Sequence, residues 1–140
     1  MLAVLDTNHF RVVAEGGIGA AKIADRAAIE GVEISLTIIT VQEACGGWLG
    51  LINGMKAGQH QIRAYASFQR TVAAFQNFRI LAFDELPGER FQTLRGIRPR
   101  SGTMDLKIAA ICLACDATLL TRNLVDFDGI AGLRVENWLD

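Results

Sequence analysis

The sequence predicts an α/β protein whose central parallel sheet of four to five strands is covered by helices on both faces. Short β-rich apolar runs alternate with segments of helical period along the whole chain, and the first two runs pass directly into residues that cap helices. Composition agrees: 140 residues, 51% hydrophobic and 21% charged, suffice to bury one core without disulfides or a structural metal. One domain over residues 1–140 is therefore expected.

Leu2 to Leu5 is the first apolar run, and Asp6, Thr7 and Asn8 follow it with cap and turn chemistry, so strand leads through a turn into helix. Ile18 to Ile29 repeats small and branched apolar residues at helical spacing until Gly31 stops it. Val32 to Ile39 is β-rich and reads as the second strand. Thr40-Val-Gln-Glu43 has capping-box spacing, which predicts a helix opening there and carrying Ala44, Trp48, Leu49 and Ile52. Past Gly54 and Gly58, the recurrence of Ile62, Tyr65, Phe68, Val72 and Phe75 marks a long amphipathic helix. Arg79 to Phe83 is a third strand, Glu85 to Leu94 a helix, Arg95 to Gly102 a basic loop around Pro99, and Met104 to Cys115 an apolar helix. Ala117 to Thr121 and Leu133 to Val135 complete the sheet, with no repeat, linker or low-complexity tract.

Several classes are excluded. No apolar run approaches the roughly 18 residues of a membrane span. The opening residues carry no basic leader before Asp6, so a cytoplasmic location is expected. Three cysteines are an odd number and form no paired zinc pattern, so they are expected to be reduced. Cys112 and Cys115, three apart in an apolar helix, read as two small buried side chains, and Cys45 has no base to activate it. His9 and His60 read as structural or surface residues. The net charge of −1 hides an uneven distribution: residues 56–107 carry nine basic and four acidic side chains, while the segments on either side are acidic. That pattern suits a basic wall beside an acidic site, as handling a phosphate backbone requires, and equally a solvated helical surface. Arg95, Arg98 and Arg100 are the candidates for contact with such a backbone, with solvated charge as the alternative.

Four carboxylates fall at switch points. Asp6 follows the first strand, Glu43 lies in the expected first turn after the second, Asp105 opens the helix before the fourth, and Asp126 follows the fourth. In an open parallel sheet the carboxyl ends of the strands share one edge, where ligand crevices form. Each acid singly has a plain alternative: a helix cap, a capping-box partner, a charge favoured by a helix dipole, or a turn residue. Taken together they strain that explanation, because a helix N-terminus stabilises an anion by about 0.3–1 kcal/mol. Two like charges about 4 Å apart repel by about 4 kcal/mol at an effective dielectric of about 20. Acids that meet would need raised pKa values or a bound cation, and an oxygen-only set suits Mg²⁺ or Mn²⁺. Such an ion activates water and offsets charge in phosphodiester hydrolysis.

Leu5-Asp6-Thr7-Asn8, Thr40-Val-Gln-Glu43 shortly before Gly47, and Met104-Asp105-Leu-Lys-Ile-Ala-Ala110 resemble the PIN domain, as does Thr121-Arg-Asn123-Leu-Val-Asp126-Phe127 with Gly132-Leu133 and Glu136-Asn137-Trp138 beyond it. More narrowly they are similar to the VapC toxins of bacterial toxin–antitoxin modules. The likeness spans nearly the whole chain in order and spacing. It implies a PIN-like three-layer fold and a Mg²⁺-dependent endoribonuclease acting on RNA as a type II toxin. Asp6 and Asp105 match the family's main metal ligands, Glu43 the second acid, and Asp126 the fourth. Asp128, two residues on, is the competing choice for that fourth position. Thr7, Asn8, Thr121 and Asn123 match polar supporting positions. The resemblance also implies homodimerisation and a cognate antitoxin whose segment occupies a groove, for which Trp48, Tyr65, Phe68 and Phe75 are compatible, core packing being the other role for these aromatics. The competing functions are a non-catalytic RNA- or protein-binding module that kept the fold, and a phosphatase or phosphoacceptor domain. The complete acid set weighs against the first of these, and Asn8 in place of a second aspartate against the other.

Overall fold

The computed structural model describes residues 1–140 and alternates five strands with seven helices. Strands β1 (Leu2–Leu5), β2 (Glu33–Thr37), β3 (Arg79–Leu81), β4 (Thr118–Leu120) and β5 (Arg134–Glu136) form one parallel sheet in the order β3-β2-β1-β4-β5. Ala3 pairs with Ile34 on one side and Thr118 on the other, so β1 is central. The chain steps outward from β1 to β3, then returns to place β4 on the other side of β1. The sheet therefore has its topological switch point between β1 and β4, where an open α/β sheet leaves a crevice at the strands' carboxyl ends.

The helices are α1 (Thr7–Glu15), α2 (Gly17–Glu30), α3 (Ile38–Asn53), α4 (Ile62–Phe75), α5 (Glu85–Ile97), α6 (Thr103–Cys115) and α7 (Leu124–Phe127). Side chains alternate across each strand, so Val4 and Leu119 enter one core, with α5 and α6 supplying Leu94, Leu106 and Ile111. Ala3, Leu5 and Leu120 enter the other, with Phe10 of α1, Ile23 of α2 and Phe75 of α4. Full burial of each large side chain contributes about 1.5–3 kcal/mol, and the two cores make the predicted three layers. No helix is long and apolar enough to cross a membrane.

The departures from expectation are local. Gly16 and Gly17, both at positive φ, divide the segment after Asn8 into two helices. Helix α3 opens at Ile38, not at Thr40, because Thr37 is its cap: the Thr37 hydroxyl oxygen accepts from the Thr40 N–H at 3.2 Å. Ile38 and Ile39 carry β propensity, yet Ile39 is buried in the core from the helix, and packing overrides propensity. Helix α5 continues to Ile97, which places Arg95 in its last turn. Helix α7 has four residues, too few to show a period. Cys112 is fully buried, and burial pushes its thiol pKa far up, but Cys115 is exposed, so the expected buried pair is half right.

Candidate active site

The site is assembled at the β1/β4 switch point. Asp6 leaves β1 in extended conformation (φ −72°, ψ 177°) and caps α1, its carboxylate accepting from the His9 N–H at 2.8 Å. Its own N–H donates to the Leu120 carbonyl at 3.0 Å, which ties the acid to the end of β4. Thr121, fully buried beyond β4, is a further neighbour that favours the ionised Asp6 side chain. Burial opposes ionisation of Asp6, but the adjacent His9 imidazole, Thr121 and the His9 backbone N–H together outweigh it. They hold its carboxyl below the usual range.

Because α3 starts at Ile38, Glu43 lies in its second turn, clear of the N-terminal backbone, and the expected capping box does not form. The carboxylate is held instead from α1, where the Thr7 hydroxyl donates to Glu43 Oε1 at 2.7 Å. The plain reading of Glu43 as a capping partner is thereby overturned. Asp105 stands in the first turn of α6, half-buried, and Asp126 in α7, exposed. Burial is the largest cause of a raised Asp105 carboxyl pKa, followed by the charges of Asp126, Glu43 and Asp6. The four acids thus share one electrostatic environment. Asp128, which ends α7, is not among the charges acting on Asp105.

A cleft of about 240 Å³ is lined by Asp6, Glu43 and Asp105 together with Thr7, Asn8, Asn123, Arg11 and Ile108. Asn123 is steadied by its N–H donating to the Thr121 hydroxyl oxygen at 3.0 Å. The chain's Arg ion pairs use Glu30, Glu33, Asp116, Glu136 and Asp140, and none involves Asp6, Glu43, Asp105 or Asp126. The carboxylates face the cleft without closing into a cage: no three His, Cys, Asp or Glu side chains stand together ready to hold a metal ion. The donor chemistry nevertheless fits a hard divalent cation, being all oxygen and forming no ion pair with Lys or Arg.

The basic candidates are placed differently from expectation. Arg95 donates to the carbonyls of Pro99 and Ser101 and to the Thr103 hydroxyl, closing the α5–α6 corner. Arg98 donates to the Asp128 carbonyl at 2.6 Å and to the Asp126 carbonyl, tying that corner to α7. Arg100 is exposed. The cation at the cleft is Arg11, which the sequence reading missed, although it lies one helical turn after Thr7 on the same face of α1. Arg11, Thr7 and Glu43 also border a second, larger groove of about 650 Å³ whose apolar walls include Phe10, Trp48 and Leu51. Trp48 is fixed there by its indole N–H donating to Thr71 at 3.0 Å. Tyr65, Phe68 and Phe75 do not line it; Phe75 is buried against Phe10 with ring centroids 5.1 Å apart.

A parallel five-stranded sheet between helical layers, with acids gathered where β1 and β4 end, defines a PIN-like α/β protein. Solved structures carry this fold over the entire chain. The match to VapBC-1 from nontypeable Haemophilus influenzae covers 100% of both chains at TM-score 0.78 and 20% identity. VapBC2 from Rickettsia felis, bound to a DNA fragment from its promoter, matches over 99% of both at TM-score 0.75 and 21% identity. A toxin–antitoxin complex from Klebsiella pneumoniae matches over 96% of both at TM-score 0.65 and 26% identity. No protein-family model matches the chain, and no curated relative does. At these identities the likeness shows the fold, and at that level the resemblance to VapC-type PIN proteins is borne out.

Proposed function

We propose that this protein is a Mg²⁺-dependent endoribonuclease, able to use Mn²⁺, that cuts RNA phosphodiester bonds as the toxin of a type II toxin–antitoxin module. One observation carries the reading: Asp6, Glu43 and Asp105, from three distant parts of the chain, line one cleft without any Lys or Arg paired to them, and the charge of Asp126 reaches the same group. Asp6, Glu43, Asp105 and Asp126 are the residues that would hold the ion. When bound, a hard divalent ion neutralises phosphate charge and lowers the pKa of a coordinated water. The protein's own groups prepare for that chemistry. Thr7 orients Glu43, the His9 N–H orients Asp6, and Arg11 offers a guanidinium for a phosphate at the cleft.

The structures this chain resembles include toxin–antitoxin complexes, which supports a cognate antitoxin as partner; homodimerisation is part of the same proposal and rests on the family resemblance alone. The groove beside the cleft suits an antitoxin segment, since Thr7, Arg11 and Glu43 belong to both and an occupant would obstruct the acids. Incubation of the purified protein with total RNA and Mg²⁺ is expected to give cleavage that EDTA abolishes. Asp6→Asn is expected to lower the rate by more than about a hundredfold, since losing even a group that only orients a metal ligand costs about 10–100-fold. Equal products in all three conditions would overturn the proposal, and RNA binding without cleavage would favour the non-catalytic module.

A further inference from the structure

We infer that His9 is a positioning residue whose imidazole holds the Asp6 carboxylate in the orientation that a metal ion requires. The inference rests on the function just proposed. The His9 backbone N–H makes the ordinary capping bond to Asp6, which a residue of any type supplies at that position. The side chain is a different matter. It is completely buried, both ring nitrogens lack a satisfied hydrogen bond, and Nδ1 lies 3.4 Å from the same Asp6 Oδ1. Burying polar nitrogens in this way costs stability unless they are paired, and an apolar side chain of similar volume would fill the space without that cost. The polar group His9 faces is the Asp6 carboxylate, and a small rotation and approach of the ring would align Nδ1–H with Oδ1 for a hydrogen bond. Asp6 is then gripped at one oxygen by both the backbone N–H and the ring of His9. Carboxylates that ligate metals are commonly oriented by such outer partners.

The test uses Mn²⁺ alone as probe, with binding measured by calorimetry and thermal unfolding measured in EDTA, on the full chain. His9→Leu is expected to bind Mn²⁺ about tenfold more weakly or worse, while melting at or above the wild-type temperature. His9→Asn, whose amide nitrogen reaches the position of Nδ1, is expected to recover most of the affinity. His9→Gln, whose amide extends toward the position of Nε2, is expected to recover less. Unchanged affinity in His9→Leu overturns the inference, as does weakened binding that follows a lowered melting temperature and is not restored by Asn. Should the Leu variant fail to fold, equal affinities for the Asn and Gln variants overturn it. A wild-type protein that binds no Mn²⁺ overturns the proposed function first and this inference with it. Wild-type binding that His9→Leu leaves intact overturns this inference alone.

Discussion

The acid cleft and the α5–α6 corner treat charge in opposite ways. At the corner, Arg95 and Arg98 spend their donors on backbone carbonyls and hydroxyls, so the basic segment acts largely as a clamp between α5, α6 and α7. In the cleft the Glu43 and Asp6 carboxylates accept from a hydroxyl and a backbone N–H yet form no ion pair with Lys or Arg, and burial and neighbouring charges raise the carboxyl pKa of Asp105. A folding chain satisfies its charges where nothing else is required of them. The set without a Lys or Arg partner is the one to which the proposed function assigns a cation, and Arg95 and Arg98, first candidates for RNA contact, spend their donors within the fold.

Substitutions in the two regions should separate them. The largest difference is expected between neighbouring acids of α7: Asp126→Asn should lower RNA cleavage by about tenfold or more, as loss of a group acting on a metal site does, and Asp128→Asn should leave it near wild type. Initial-rate assays decide this, and the reverse order would transfer the fourth position to Asp128. Next comes the clamp. Arg98→Ala removes hydrogen bonds from a charged donor and should cost about 1–2 kcal/mol in urea unfolding. Arg100→Ala should change stability by less than about 0.5 kcal/mol. If Arg100 alone of the three meets RNA, its removal in an Asp6→Asn background should reduce the salt slope of RNA binding by about 0.7, as expected for one single-strand phosphate contact. A smaller effect concerns Asp105. Because its folded pKa is raised, ionising it penalises the metal-free fold: the penalty is absent below the ordinary value of 3.8 and complete above the raised one. Asp105→Asn should therefore melt higher than wild type in EDTA at neutral pH, with the gain shrinking as the pH falls toward 3.8. Added Mg²⁺ should stabilise only the wild type. Asp6 has the opposite sign, since its lowered pKa contributes stability above 3.8 that is lost as the pH falls through the folded value.

Strand and helix order, the parallel sheet and the four acids at switch points were legible in the sequence because period, caps and glycine stops are local signals. The partners of those acids were not. Glu43 was read against Thr40, three residues away, whereas its partner is Thr7, 36 positions back along the chain. Arg95 and Arg98 looked like free charge because their acceptors are carbonyls, which every residue possesses and no side-chain pattern reveals. Tyr65, Phe68 and Phe75 share a stripe with no sign of which neighbour each meets, and it was Trp48, Phe10 and Leu51 that came to line the groove.

Sequence alone determined which chemistry is available: short polar acids placed just after β-rich runs, in a chain able to bury one layered core. Tertiary structure decided which of those groups answer one another. The sheet order brings the ends of β1 and β4 side by side, and the α1–α3 contact sets Thr7 on Glu43. The physical reason is range: dihedral preferences and helix caps act within a few residues, whereas hydrogen bonds, burial and Coulomb repulsion depend on distances that exist only after the sheet has closed.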